Sequence, residues 1–327
     1  MRNRAVSFSL LVLSGVAFLA APASAVTIDW VFVENPGNAA DTPSANCVAA
    51  NCGSVADPYL ISKYEVTNAQ YGEFLNLKAK ADPLGLYNSI LMGSSLFGGI
   101  TRSGVSGSYT YAVKTGFADK PVNAVSFYDS LRFTNWLNNG QGSGDTETGA
   151  YTLLGGTATP SNGTTVTRNP GAIVFLPSEN EWYKAAYYDG LSATYFDYPA
   201  GTDTATVCSA PTGTANRANC SPAGVGLTDV GAYTGSASPY GTFDQGGNVF
   251  EWNETLASGF RGFRGGNWSN NASFLSVSRP LATDPSSEEL TIGFRVASFV
   301  PEPGTSLLVM IGLAGLAARQ ERLKRNL

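Results

Sequence analysis

Tyr240 to Trp252 reads Y-G-T-F-D-Q-G-G-N-V-F-E-W, Phe263 to Trp268 reads F-R-G-G-N-W, and Ile292 to Ala297 reads I-G-F-R-V-A. The glycine pairs in the first two blocks permit tight turns and close packing. Arg264 and Arg295 read as anchors that hold strands together through ion pairs or hydrogen bonds to backbone. Asp244 and Glu251 bracket the first glycine pair. Calcium takes about six to eight hard oxygen ligands, and such a turn can aim carbonyls inward between two carboxylates. The plain alternative leaves Asp244 opening a turn and Glu251 solvated or salt-bridged. Between the second and third blocks, Ser269 to Arg279 reads S-N-N-A-S-F-L-S-V-S-R, without cysteine.

Upstream, three segments carry helix-start signals. Thr67 and Gln70 have the spacing of a capping box, with Tyr71, Phe74 and Leu75 forming an apolar face behind it. Ser126 and Asp129 can cap a second helix whose Phe127, Leu131 and Trp136 face a core. Ser178 and Glu181 repeat the capping box ahead of Trp182, Ala185 and Ala186. Glu179 and Glu181, two apart on that start, point to different faces, which argues against a paired-carboxylate glycosidase. Val26 to Phe32 and Pro58 to Tyr64 read as strands. Asn35 to Asp57 reads as a loop-like insertion, and Ala79 to Phe117 as loop with short strands.

The ends place the protein. Arg2 and Arg4, the apolar run Val6 to Ala20 and Ala23-Ser24-Ala25 fit a secretory signal cleaved after Ala25. Residues 26–299 then form the body, and 300–327 a tail with Pro301-Glu302-Pro303, an apolar membrane segment from Leu307 to Ala318, and the basic residues Arg319, Arg322, Lys324 and Arg325. The net charge of −5 over the 327 residues understates the acidity of the body, because both removable ends are basic. Nucleic acid, which needs a basic stripe, is not an expected partner. The chain has no histidine, which excludes Ser-His-Asp and Cys-His catalysis and His-ligated zinc. Four cysteines fall as two close pairs, Cys47 with Cys52 and Cys208 with Cys220. In an exported chain the even count and local spacing favour two loop-stapling disulfides over a metal or redox role.

Glu65-Val-Thr-Asn68, Pro121-Val-x-x-Val-Ser126, Leu176-Pro-Ser-Glu-x-Glu-Trp182 and the three C-terminal blocks stand in an order that resembles the formylglycine-generating enzyme, or sulfatase-modifying factor, family from about Asp57 to Ser298. That resemblance implies an α+β, C-type-lectin-like fold with much irregular backbone. It implies a calcium site formed by Asp244, the carbonyls of Gly247 and Val249, and Glu251, and a second built on Asn219 and the carbonyl of Cys220. The family's oxidases hold copper with two cysteines, since soft thiolates select Cu(I). Those cysteines would lie near Asn270 and Leu275, neither of which replaces a thiolate, and a usual Trp beside that site is Phe250 here. Copper is therefore not expected, no catalytic residue is assigned, and the His-carboxylate iron site of sulfoxide-synthase relatives is excluded. The expected role is non-catalytic binding or structure; the competing reading is an oxidoreductase or other enzyme with a relocated site. Asn267, Trp268, Asn270, Asn271 and Phe274 occupy the place of the family's substrate groove, and amides beside an aromatic ring suit an extracellular polysaccharide or peptide. The tail resembles the PEP-CTERM signal of Gram-negative bacteria, which implies exosortase-type machinery as a partner and the envelope, surface or extracellular matrix as destination.

Overall fold

A computed structural model describes residues 25–42, 46–221 and 226–300. The signal segment through Ser24, the Pro301-Glu302-Pro303 motif and the expected membrane segment Leu307 to Ala318 lie outside the described residues. Among those described, no helix is long and apolar enough to cross a membrane.

The three expected helices form where their caps begin. Helix α1 (Asn68–Lys78), α2 (Phe127–Asn138) and α3 (Glu179–Tyr187) each open on a complete capping box, at Thr67 with Gln70, Ser126 with Asp129, and Ser178 with Glu181. Each box satisfies backbone N–H groups that the first helical turn would otherwise orphan. Behind the caps, Tyr71, Phe74, Phe133 and Trp136 pack ring against ring with Phe294, at centroid distances from 5.3 to 6.5 Å. This aromatic cluster forms the centre of the core and joins α1 and α2 to the C-terminal strands.

Two four-stranded sheets carry the rest. The first runs in the order Trp30–Val33, Tyr59–Ser62, Ala297–Phe299, Val174–Phe175, with antiparallel neighbours throughout. The second runs Leu281–Thr283, Phe260–Arg264, Phe250–Ala257, Ile292–Phe294. Its last pair is parallel. The reason is topological: Ile292–Phe294 passes through Arg295 and Val296 straight into Ala297–Phe299, so one extended segment edges the second sheet and then sits inside the first. Ser62 N–H donates to the Val296 carbonyl at 2.8 Å and Val66 N–H to that of Phe294 at 2.9 Å, which stitches the crossing. Ala79 to Phe117 contains a π-helical turn at Ser89–Ser94 and a hairpin of Ile100–Ser103 with Thr110–Val113.

Candidate functional site

The Asp244 to Glu251 turn lies where the two sheets meet. Asp244, Gly247 and Asn248 all adopt left-handed backbone, with φ of 59°, 93° and 58°. Gly247 is required there, because a Cβ would come within 2.4 Å of the Asn219 carbonyl. Asn248 is fully buried and acts as the hub. Its amide donates to Glu65 Oε2 at 2.9 Å, and its Oδ1 accepts from Asn219 Nδ2 and from Thr228 N–H, both at 3.1 Å. Asp244 Oδ2 accepts from Gly231 N–H at 2.6 Å. Glu251, with no exposed surface, accepts from Arg295 Nε at 2.5 Å, Arg295 Nη2 at 2.8 Å and Trp182 Nε1 at 2.6 Å.

Three buried carboxylates, Glu65, Asp244 and Glu251, thus share one guanidinium. Burial, with the charges of Asp244 and Glu251 added, holds the Glu65 carboxyl well above its ordinary range and favours its protonated form. Burial likewise pushes Asp244 up to about 6, and Glu251 adds to that. Among the described residues no three acidic or cysteine side chains converge closely enough to hold a metal ion; in chemistry alone the expected ligands suit a divalent cation at Asp244, which is held by hydrogen bond at one oxygen only. It fits less well at Glu251, whose two oxygens already accept from Arg295. Sequence reasoning missed Glu65 as a member of this cluster, although it opens the Glu65-Val-Thr-Asn68 motif.

At the second expected calcium position, Asn219 is buried and its Oδ1 has no hydrogen-bond partner among the described residues. The Asn219 carbonyl accepts from Asn248 N–H at 2.9 Å. Cys220 is closed in a disulfide with Cys208, and Cys47 with Cys52, so both expected staples are present and none of the four cysteines is free. The Cys47–Cys52 loop is tied to α3: Glu179 accepts from Val48 and Ala49 N–H at 3.2 and 2.8 Å and from Arg264 Nε at 2.8 Å. Glu181 turns the other way, to Arg168 at 2.8 Å.

The segment after the second glycine pair is folded onto itself. Gly266 has φ 73°, and a Cβ there would press on Leu275 at 2.7 Å. Leu275 is 1 % exposed and packs with Ala218 and Cys220, against Cys208 and Phe274. Carbon therefore fills the position of the second expected thiolate, and the sulfurs beside it belong to the closed Cys208–Cys220 bridge. Asn270, at the first thiolate position, accepts from Ser221 N–H through its carbonyl at 2.7 Å. Asn267 is buried, its Oδ1 accepting from Ser269 N–H and hydroxyl, both at 2.8 Å. Trp268 stacks on Phe97 with centroids 4.6 Å apart, and Phe274 is half-buried between Phe250 and the Arg279 guanidinium. Asn271 is exposed and caps a short 3-10 turn, Ala272–Leu275. Trp268 Nε1 and Asn270 Oδ1 have no hydrogen-bond partner among the described residues. Of the five expected groove residues, Asn271 is exposed, Trp268, Asn270 and Phe274 are half-buried, and the buried Asn267 serves the turn itself.

The sulfatase-modifying factor enzyme 1-like domain model matches residues 21–299, and a PEP-CTERM protein-sorting motif matches residues 299–322. The sorting motif implies export and sorting to the bacterial cell envelope through exosortase-type machinery. Among solved structures, the chain is similar to CarF, at 22 % identity over 84 % of this chain and 99 % of that one, with a TM-score of 0.56. It is also similar to Treponema denticola variable protein 1, at 17 % identity over 84 % and 95 %, TM-score 0.48. PvdO from Pseudomonas aeruginosa matches at 17 % identity over 83 % and 94 %, TM-score 0.43. No match is found among curated proteins. The family model and the CarF likeness agree with the α+β, C-type-lectin-like architecture.

Proposed function

Because this chain belongs to the sulfatase-modifying factor enzyme 1-like family over residues 21–299, we propose that it keeps the family scaffold to bind an extracellular ligand at the cell envelope, without oxidising it. The observation that carries this reading is Leu275: a buried leucine stands at the second thiolate position, and the neighbouring sulfurs are closed in a bridge. A copper centre needs two free thiolates at one place. With Asn270 and Leu275 there, the scaffold retains a binding surface and lacks the reacting atoms.

The loop Trp268 to Phe274 is the binding surface in this reading. It supplies the half-buried rings of Trp268 and Phe274 and an exposed amide at Asn271. Sugars and extended peptides both engage such surfaces by stacking and amide hydrogen bonds. In the same reading calcium at Asp244 and Glu251 braces the loop from below, and the body works at the outer face or in the matrix of a Gram-negative cell, a destination that the sorting motif supports only as far as the bacterial envelope. Screening the purified protein against glycan and peptide arrays tests the assignment. The expected ligand loses at least about tenfold in affinity with Trp268→Ala or Phe274→Ala, consistent with the ~1–3 kcal/mol carried by a stacked ring. A ligand indifferent to both substitutions, or no ligand at all, would count against it.

A further inference from the structure

The sorting motif begins where the fold ends. Strand Ala297–Phe299 sits inside the first sheet, and the matched motif starts at residue 299. Only Val300 separates Phe299 from Pro301-Glu302-Pro303. A chain reaches at most about 3.6 Å per residue, so a partner that reads Pro301 to Pro303 comes within about 7 to 14 Å of Phe299. Such a partner meets the body as well as the tail. Register fixes what stands there. Val33 and Phe299 both pair with Tyr59, and Phe299 N–H donates to the Ile173 carbonyl at 3.2 Å. One row thus crosses the sheet as Val33, Tyr59, Phe299, Ile173, and the chain leaves just beyond it. Val33 and Tyr59 are buried, but Phe299 is 43 % and Ile173 60 % exposed. The Phe299 ring leans on buried Phe175, with centroids 4.8 Å apart. Phe32, 43 % exposed, stands one row back and on the opposite face. Glu34 follows Val33 and Asp57 lies two residues before Tyr59, so two exposed carboxylates rim the same end.

Exposed apolar side chains scattered singly are ordinary. Ile173 and Phe299 differ in that they adjoin each other, at the point where the chain passes into a recognition motif. We infer that Ile173, Phe299 and Phe32 form a docking collar on the body for the exosortase-type sorting enzyme, which engages this end of the sheet together with Pro301-Glu302-Pro303. The matching face of the enzyme is apolar at its centre, with basic side chains at its rim opposite Glu34, Asp57 and Glu302. With one residue between collar and motif, binding of the motif holds the collar at high effective concentration, so a modest apolar contact adds to a short linear one. The collar shares no residue with the Trp268 to Phe274 loop, and the failure of either leaves the other standing.

The test makes the full chain in cells together with the exosortase-type enzyme and places a benzophenone photo-crosslinker at position 173, at position 302 inside the motif, or at position 191, where Leu191 is 99 % exposed on a separate loop. Mass spectrometry identifies what each position captures. Position 173 is expected to capture the enzyme at a yield comparable with position 302, and position 191 to capture none. A long Gly/Ser insert between Val300 and Pro301 should lower capture at position 173 by about tenfold, because the effective concentration of the collar falls, while position 302 still reports the motif. Ile173→Asp, a surface change that leaves the melting temperature in place, should weaken capture from position 302 by about tenfold, the loss of one apolar anchor. Capture at position 302 without capture at 173, capture at 173 of lipid or of a second copy of the chain in place of the enzyme, or capture at 302 that Ile173→Asp leaves unchanged overturns the assignment.

Discussion

Arg295 donates to both oxygens of Glu251 with neither side chain exposed to solvent. It also donates to the carbonyls of Ser62 at 2.9 Å and Phe243 at 2.8 Å, so one guanidinium ties the turn to both sheets. Removing one partner of such a pair leaves a buried charge uncompensated, which costs about 3–5 kcal/mol. Arg295→Met is expected to lower stability by that amount in urea unfolding; a loss below about 1 kcal/mol would contradict the central role of the pair. Arg264 and Arg295 were legible as structural anchors. Their partners Glu179 and Glu251 were not, because pairing across 85 and 44 residues is decided by how the sheets pack. Arg261 and Arg168 carry no sequence signal at all.

Helix starts were the most legible elements, since a cap and its partner three residues on are local chemistry. Helix α2 shows what the cap costs when buried. The Ser126 hydroxyl donates to Asp129 Oδ2 at 2.6 Å, and burial pushes the Asp129 carboxyl from 3.8 up to about 7. A raised folded-state pKa means that folding favours the protonated form. The stability it contributes is complete below about pH 3.8 and is lost as pH rises through about 7. Asp129→Asn cannot ionise, so the fall between those limits, up to about 4 kcal/mol, should flatten in the variant. Urea midpoints at several pH values across that window check this, and parallel curves for the two proteins would refute it. Strands were less legible. Val26 to Phe32 gave a strand only at Trp30–Val33, and Pro58 to Tyr64 only at Tyr59–Ser62. Strands this short carry too few alternating positions to mark their ends, and the parallel pairing of Ile292–Phe294 follows from chain crossing that no local pattern records.

Across the whole molecule, an acidic body buries Glu65, Asp244 and Glu251 around one arginine. Calcium bound there, as proposed, would relieve that crowding. At 10 mM calcium, with a dissociation constant of about 10⁻³ M as in extracellular modules, the gain is about 1.4 kcal/mol, or about 3 °C in melting temperature. Asp244→Ala should remove the shift, and a wild-type protein insensitive to calcium and to chelator would assign the charge balance to the Glu65 proton instead. The family was legible because six ordered motifs span most of the chain, and the sorting motif because it is linear. The ligand was not, because a surface loop acquires its specificity from how it folds. The proposed non-catalytic role requires that no pair of reacting thiolates stand near Asn270 and Leu275. The direct measurement is to incubate the purified full chain with Cu(I), oxygen and a cysteine-containing peptide, following peptide mass and oxygen uptake. The peptide should remain unchanged, with oxygen uptake no greater than in a protein-free control; catalytic conversion of its cysteine to formylglycine would contradict the account.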